Sequence, residues 1–380
     1  MRKYKILYVL NDTHPLKYFL KNHINYLNSL ECFDISVILN NSNNENFDDY
    51  KINLYNYKIK RSPNLISDLS ILFQIYFHLL RNRYDIVHSI TPKSGLLTAI
   101  ATYLAFKKVR IHTFTGQVWA NYSGLKFRLF KWVDILIYKL NTHVLTDSFS
   151  QKQYLINNNV GSLSGIHVLN KGSICGVDLN KFNKSECKAS ILKKELEIKD
   201  TDFVILYVGR LNFDKGVVDL IDAYLRFKKR NIHLIVLGRD ESNIKNYVQN
   251  IYPSLDKFNV HFINESSFPE IYMSISNILC LPSYREGFGN VVIEAAAMGV
   301  PSVVSKIYGL RDSIIDRETG FFFDPGNVED LYNKIEYLYS NQDILEKMKN
   351  DCKFFVKENF DSKIVSKSLV DFYLSIIKNG

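Results

Sequence analysis

Two stretches of the chain put cations, carboxylates and glycines where a strand turns into a helix, an arrangement suited to binding anions. The first runs Phe203-Val204-Ile205-Leu206-Tyr207-Val208-Gly209-Arg210-Leu211-Asn212-Phe213-Asp214-Lys215-Gly216. Its apolar run reads as a buried strand, and the glycine begins a tight turn. Arg210 and Lys215 are five apart across that turn, close enough to reach one diphosphate. Arg offers a planar fork of donors and Lys a movable point charge. The second stretch runs Leu281-Pro282-Ser283-Tyr284-Arg285-Glu286-Gly287-Phe288-Gly289-Asn290 and continues to Met298, Gly299 and Pro301. A helix is expected from Asn290, as N-cap, to Met298, with Gly299 and Pro301 as its stop. Gly287 and Gly289 remove side chains where a ligand could approach the backbone, and the helix N-terminus that follows offers an anion N–H groups and the positive end of its dipole. Glu286 in the loop and Glu294 one turn into the helix can accept from the paired hydroxyls of a ribose or a sugar ring. Either cation alone, or two loop glycines alone, would equally suit a plain surface turn. The whole string is much more specific.

These turns need a scaffold. Short β-branched and aromatic runs alternate with helical stretches along the chain. Strands are expected at Tyr4–Leu10, Asp34–Leu39, Asp85–Ser89, Val109–Phe114, His143–Thr146 and Ile166–Leu169. A second set is expected at Phe203–Val208, His233–Leu237, Val260–Ile263, Ile278–Leu281, Ser302–Val304 and Gly320–Phe323. Consecutive apolar positions mark strands buried on both faces, and the alternation with helices predicts doubly wound parallel α/β sheets. The pattern restarts after the polar, lysine-rich stretch Asn180 to Asp200. That places a first Rossmann-like domain at 1–190 and a second from 191, facing a cleft into which the carboxyl ends of the strands would present ligands. Asn40–Asp49 reads as a loop.

Composition narrows the class. The 380 residues are 46% apolar and 23% charged, ample for folded cores. Five cysteines without a CxxC pair argue against a disulfide framework and a cysteine-built zinc site, and fit a reducing cytosol. The amino terminus, Met1 to Leu10, reads as a buried first strand rather than a targeting segment. No apolar run reaches the ~18 residues that span a bilayer. Net charge is +9, unevenly spread: residues 1–190 hold 24 Lys/Arg against 12 Asp/Glu, residues 191–380 hold 24 against 27, and 51–150 alone hold 14 against 4. Lys126, Arg128 and Lys131 lie among Leu125, Phe127, Leu129, Phe130 and Trp132. Asn64 to Arg83 mixes aromatic and aliphatic residues with Arg81 and Arg83. Basic residues among large apolar ones suit a helix on anionic lipid. With no nucleic-acid motif present, membrane is preferred to nucleic acid as partner.

The pattern Gly-Arg-Leu, four residues, Lys-Gly, then Pro-Ser, Glu-Gly-Phe-Gly and a second Glu eight residues after the first resembles the family 4 glycosyltransferases of the GT-B fold. Lys171-Gly172-Ser173-Ile174-Cys175-Gly176-Val177-Asp178 is similar to that family's Gly-Val-Asp element, and Thr319-Gly320-Phe321 to its Thr-Gly-aromatic element. Phe360 to Ile377 resembles its terminal helix. The expected domains are therefore 1–190 for the acceptor, 191–358 for the nucleotide sugar, and a helix at 359–380 crossing back to the first. Val109 to Trp119 is most like bacterial capsule and O-antigen polysaccharide transferases. The resemblance implies a retaining, metal-independent transfer of a hexose or N-acetylhexosamine from a UDP-sugar to a polyprenyl-diphosphate-linked glycan. Arg210 and Lys215 would stabilise the leaving diphosphate, Glu286 would hold donor-sugar hydroxyls, and Glu294 would bind the ribose. Gly287, Phe288, Gly289 and Asn290 would complete the donor site through their backbone. No cofactor is implied. The expected place is the cytoplasm, bound peripherally to the inner membrane through the basic aromatic first domain.

Two departures from the family pattern bear on the first domain. The turn after its first strand, Asn11-Asp12-Thr13-His14-Pro15, has no glycine. The position of the family's His, before Gly116, is Thr115, which offers a hydroxyl instead of an imidazole. His14, His112, Gly116 and Gln117 remain candidates for cleft or acceptor contacts. Alternation sets His112 and Phe114 on one sheet face and Thr113 and Thr115 on the other, and a core role suits His112 better than a catalytic one. Asp200-Thr201-Asp202 spells a metal-binding DxD but precedes a buried strand and reads as a turn. A sugar-nucleotide epimerase on the same fold, or a non-catalytic nucleotide-sugar-binding scaffold subunit, are the competing readings.

Overall fold

The computed structural model describes residues 3–60, 62, 64–183 and 186–378. Met1 and Arg2 of the expected first segment and the last two residues of the expected terminal helix lie outside them. The chain forms two compact units, Met1–Gly176 with Ser362–Gly380, and Val177–Asp361. The division falls at Gly176/Val177 rather than at 190/191. The reason is local: the Val177 N–H donates to the Phe360 carbonyl at 2.7 Å, and Val177, Phe182 and Leu192 are buried in the second core. The lysine-rich stretch is thus the first segment of the second unit, not a linker.

The first unit holds seven strands: β1 (Tyr4–Asp12), β2 (Phe33–Asn40), β3 (Asn53–Asn56), β4 (Ile86–Ser89), β5 (Arg110–Phe114), β6 (His143–Thr146) and β7 (Ile166–Val168). They are all parallel in the order β3-β2-β1-β4-β5-β6-β7. Strand β3 was not expected, because Asn53-Leu54-Tyr55-Asn56 is a short, half-exposed edge strand without an apolar run. The second unit holds β8 (Phe203–Val208), β9 (Ile232–Leu237), β10 (Val260–Ile263), β11 (Ile278–Leu281), β12 (Ser302–Ser305) and β13 (Gly320–Phe323), parallel in the order β10-β9-β8-β11-β12-β13. Both orders reverse direction beside the first strand of their unit, as in doubly wound folds.

Burial on both faces explains the apolar runs. In β1, Ile6, Tyr8 and Leu10 enter one core with the terminal helix Ser362–Lys378, while Leu7 and Val9 enter the other with helix Leu65–Arg81. The terminal helix is also tied by a buried polar chain. The Tyr8 and Tyr373 hydroxyls lie 2.8 Å apart, Tyr373 Oη lies 2.6 Å from His88 Nδ1, and His88 Nε2 lies 2.8 Å from Thr113 Oγ1. His23, from helix Lys21–Ser29, adds Nδ1···Ser366 Oγ at 2.9 Å and Nε2···Ile174 O at 2.5 Å.

Burial pushes His23 down to about 4, and His88 and His112 to about 3; for His88 the neighbouring His112 and His23 add to it. All three are neutral in the fold and titrate near 6.5 when unfolded. The unfolded chain therefore binds more protons below that pH, and stability falls as pH drops, by roughly 1.4 kcal/mol per histidine per unit until the folded values are reached. The melting temperature should drop steeply between pH 7 and pH 5 by calorimetry; an unchanged midpoint across that range would contradict neutral burial.

Candidate active site

In the second unit the sheet reverses direction between β8 and β11, and the turn after each of these strands carries one charged motif. After β8 the chain keeps pairing with the segment that follows β9: the Gly209 N–H donates to Leu237 O at 3.0 Å and Leu211 N–H to Arg239 O at 2.9 Å. That register brings Glu241 beside Arg210. Arg210 Nη1 lies 3.0 Å from Glu241 Oε2, and Asn212 Nδ2 lies 3.4 Å from the same oxygen. A 3-10 turn, Phe213–Lys215, then leads through Gly216 into helix Val217–Leu225. Gly216 has φ 63°, and a β-carbon there would lie 2.0 Å from the Pro282 carbonyl oxygen. Only glycine allows the two turns to approach so closely.

That approach sets Lys215 against the second motif. Its Nζ lies 2.5 Å from Glu286 Oε1, and both side chains are 15% exposed. Ser283 Oγ donates to the same carboxylate oxygen at 2.8 Å. Arg285 and Asp214 form a looser pair at 3.7 Å, and the Tyr284 hydroxyl donates to Asp219 at 2.7 Å. The buried Tyr207 hydroxyl donates to the Arg210 carbonyl at 2.9 Å. Burial raises the Tyr207 phenol, Glu286 adds to the rise and Arg210 opposes it, so both motif residues act on one buried group.

The helix after the second motif spans Asn290–Ala297, and its N-cap is Gly289, not Asn290. The reason is backbone shape. Gly289 has φ 74° and packs so that a β-carbon would meet Leu310 at 2.3 Å, which leaves Asn290 as the first helical residue. Gly289 has no side chain with which to cap this end, and the Val292 N–H donates to the Gly289 carbonyl at 2.9 Å. Phe288 turns its ring into the core against Phe360, with centroids 5.4 Å apart, so it can serve a ligand only through its backbone. Glu294 is half-buried in a different charge environment from Glu286. Burial pushes its carboxyl up to about 7, Lys181 opposing and Glu270 adding; Lys181 and Glu270 are themselves 3.8 Å apart.

In the first unit the sheet reverses between β1 and β4. His14 follows β1, is exposed, and packs its ring at a 40° tilt against Tyr18 with centroids 4.5 Å apart. Thr115 and Gly116 follow β5, both partly exposed. The turn they open is anchored by Trp119, whose Nε1 donates to buried Asp134 at 2.7 Å and whose ring stacks on Tyr154. Two candidates face inward instead. His112 is 1% exposed, lies 2.9 Å from Ser89 Oγ, and sits where a β-carbon on Gly95 would touch its ring. Gln117 is fully buried against Gln151. Neither side chain is placed to meet an acceptor; strand alternation turns His112 into the helix-covered face, and Gln117 fills the core under its turn. Asp202 of the DxD string accepts from the Lys199 N–H at 2.8 Å and lies 3.2 Å from His233 Nε2, a turn at the foot of β8.

Sequence reasoning overlooked Ser283 as a partner of Glu286 and Glu241 as a partner of Arg210. Ser283 lay in plain view inside the Pro-Ser pair. Glu241 carries no local signal, because only the pairing of β8 with β9 brings it to Arg210.

With this geometry in hand, comparison with known proteins is direct. Residues 189–353 match the family "Glycosyl transferases group 1" and residues 5–151 match "Glycosyl transferase 4-like". The chain is 30% identical over 331 residues, 85% of each chain, to the capsular polysaccharide biosynthesis glycosyltransferase CapM of Staphylococcus aureus. It is 26% identical over 357 residues, 92% of this chain and 91% of the other, to an Escherichia coli UDP-Gal:alpha-D-GlcNAc-diphosphoundecaprenol alpha-1,3-galactosyltransferase. The crystal structure of a glycosyltransferase from Rickettsia africae superposes with a TM-score of 0.82 over all of both chains at 23% identity. The motif turns at the sheet reversal, the two parallel sheets and these similarities agree: the chain belongs to the family 4 glycosyltransferases of the GT-B fold.

Proposed function

We propose that the chain is a retaining, metal-independent glycosyltransferase that moves a hexose or N-acetylhexosamine from a UDP-sugar to a lipid-diphosphate-linked oligosaccharide in capsule or O-antigen synthesis. The observation that carries this reading is the ion pair of Lys215 with Glu286, whose carboxylate Ser283 also engages, at the sheet reversal that leads into the glycine N-cap of helix Asn290–Ala297. The relatives support it. The E. coli protein is named for a UDP-sugar donor and a diphosphoundecaprenol-linked acceptor, and the S. aureus protein for capsular polysaccharide synthesis.

The chemistry follows from charge. As the anomeric bond breaks, the departing nucleoside diphosphate gains negative charge. Lys215, Arg210 and the helix N-terminus are fixed positive groups placed to receive it, and preorganised charge lowers the barrier because little must rearrange during the reaction. Two cations and a helix end together do what a divalent ion does in other transferases. Glu286 holds Lys215 before the donor arrives and accepts from the sugar hydroxyls afterwards. Thr115 supplies a hydroxyl in the first unit where relatives have an imidazole. Attack comes from the front face, assisted by the donor phosphate, without a protein nucleophile.

Replacing Lys215 by Ala should lower turnover by about a hundredfold or more, the usual effect of losing one fixed transition-state donor. UDP release would be followed with a panel of UDP-sugars and a polyprenyl-diphosphate-linked acceptor, with and without EDTA. Near-normal turnover in Lys215→Ala would remove the proposed role, and loss of wild-type turnover in EDTA would remove metal independence. Loss of donor affinity with no turnover in the wild type under any donor would favour the scaffold reading.

Glu294 gives a pH signature. Ionised, it accepts from both ribose hydroxyls; protonated, it loses one acceptor oxygen. Its carboxyl titrates near 7, so donor affinity should weaken as pH falls from about 8 to 6, and Glu294→Gln should flatten that dependence. Calorimetric titration of UDP decides it, and a flat wild-type profile would count against the ribose role.

The membrane part of the reading rests on exposed apolar surface in the first unit. Helix Leu65–Arg81 packs beside Pro92–Leu104, which packs beside Gly124–Leu140. On these helices Leu65 is 90% exposed, Ile66 86% and Leu125 83%, with Phe73, Phe77, Leu129 and Trp132 also exposed. Phe106, just past the middle helix, is 90% exposed. Lys126, Arg128 and Arg83 accompany them. Among the described residues no helix is long and apolar enough to cross a membrane. Such a face suits docking on the anionic cytoplasmic leaflet. The triple change Leu65→Ser, Phe73→Ser, Phe77→Ser should weaken flotation with phosphatidylglycerol vesicles by about tenfold. Equal flotation of both proteins would place the contact elsewhere.

A further inference from the structure

At the amino ends of β8, β9 and β10, opposite the motif turns of the second sheet, two histidines stack. His233 is the second residue of β9 and His261 the second of β10. Their ring centroids lie 5.4 Å apart with an interplanar angle of 5°, and His233 Nδ1 is 3.1 Å from His261 Nε2. His233 Nε2 in turn is 3.2 Å from Asp202 Oδ2. An ionised carboxylate only accepts, so His233 donates from Nε2 and accepts at Nδ1, and His261 donates from Nε2. The outer end of this relay is His261 Nδ1.

The relay forms part of the wall of a depression of about 850 Å3 that reaches Tyr224 and Phe258. Lys199, Lys228, Lys229, Arg230 and Lys257 line it, and all five are exposed. They come from three separate segments, one before each of the three strands. Among the described residues none of the five side-chain cations forms an ion pair with a carboxylate; Lys229 instead rests over the Tyr339 ring at 4.1 Å. Against these five cations the depression offers two acids, Glu197 and Asp202, so its balance is 5 − 2 = +3. The surrounding unit has the opposite sign: residues 177–361 hold 24 Lys/Arg and 28 Asp/Glu, or −4. Crowded, unneutralised cations on an acidic body repel one another and concentrate anions.

We propose that this depression is a second anion site, separate from the donor site and shaped for a polyphosphate group, whether of a free diphosphate or of a lipid headgroup. Five cations on three segments surround more than a single carboxylate needs, and Arg230 supplies the planar fork that matches phosphate oxygens. His261 makes the site sensitive to protons. Burial holds His261 below its ordinary value, His233 adds to that, and Glu197 opposes it, so the ring is neutral when the site is empty. Lys199, Lys228, Lys229, Arg230 and Lys257 also disfavour its charge, while Glu197 and Asp202 favour it. An anion beside Nδ1 tips this balance toward the imidazolium. Binding therefore takes up a proton and tightens as pH falls.

The test uses inorganic pyrophosphate in calorimetric titration, with Arg210→Ala/Lys215→Ala protein to silence the donor site. Pyrophosphate binding should persist in that variant and weaken by about tenfold or more when Lys228→Glu and Lys257→Glu are added. It should be tighter at pH 6 than at pH 8, and His261→Gln should flatten that difference. Phosphatidylglycerol vesicles form the second arm. Flotation that drops with the two lysine changes, without pyrophosphate uptake, assigns the site to a headgroup; pyrophosphate uptake with unchanged flotation assigns it to a free polyphosphate. The proposal is overturned if neither probe responds to the lysine changes. Circular dichroism melts establish that each variant is folded.

Discussion

The second unit's site depends on one close approach, the backbone of Gly216 against the carbonyl of Pro282. No side chain fits between them, since a β-carbon would sit 2.0 Å from that oxygen. The two strand-to-helix turns at the sheet reversal therefore pack backbone to backbone. Lys215 precedes the contact on one turn and Glu286 follows it on the other, and this alone sets their heads 2.5 Å apart. The same contact sends helix Val217–Leu225 away from the turn with Val217, Leu220 and Ile221 fully buried. Core and site share one constraint, so a larger residue at 216 would disturb both.

The resulting pair is mostly shielded from water, and shielding has two consequences. A lysine withdrawn from water without a partner is costly, so Glu286 and Ser283 are needed to hold Lys215 in place. Once held, the cation acts through a low dielectric, where its attraction for a developing anion is larger than at an exposed site. Arg210 is the contrast. It is half exposed and paired with Glu241 at the rim, where solvent screens it. The two cations of one motif are thus unequal, with Lys215 the more preorganised.

Much of this was legible in the residues. The apolar runs marked twelve of the strands because parallel strands buried on both faces must be apolar at consecutive positions; the edge strand Asn53–Asn56 escaped because one-sided burial leaves no such run. Arg210, Lys215 and Glu286 were legible as a motif, but the pairing of each cation with its own acid was not, because it depends on which strands are neighbours. The helix start was misplaced by one residue. Asn290 is the better cap by side-chain chemistry, yet the chain needs a positive φ at 289, and backbone shape prevailed. The inward face of His112 followed from strand alternation, with helix Pro92–Leu104 lying over it, whereas Gln117 turned inward for a reason composition cannot reveal, its contact with Gln151.

The glycine-free turn after β1 shows how the first unit solves the same geometry differently. Here Asn11 does with its side chain what glycine does with its backbone in the second unit. Its backbone N–H donates to Thr91 Oγ1 at 3.2 Å, and its side-chain Oδ1 accepts from the Ser94 N–H at 2.9 Å. Ser94 lies in the first turn of helix Pro92–Leu104, at the reversal of the first sheet. Its N–H, which an anion would seek at a bare helix end, is already engaged by the protein. Proline at the first helical position removes another donor. In the second unit the corresponding helix begins at Gly289 with no side-chain cap. One doubly wound fold thus appears twice with different helix starts: a side-chain amide engages the first, and a glycine N-cap leads into the second. In the first unit Lys126 and Arg128 stand exposed on helix Gly124–Leu140 rather than at that turn.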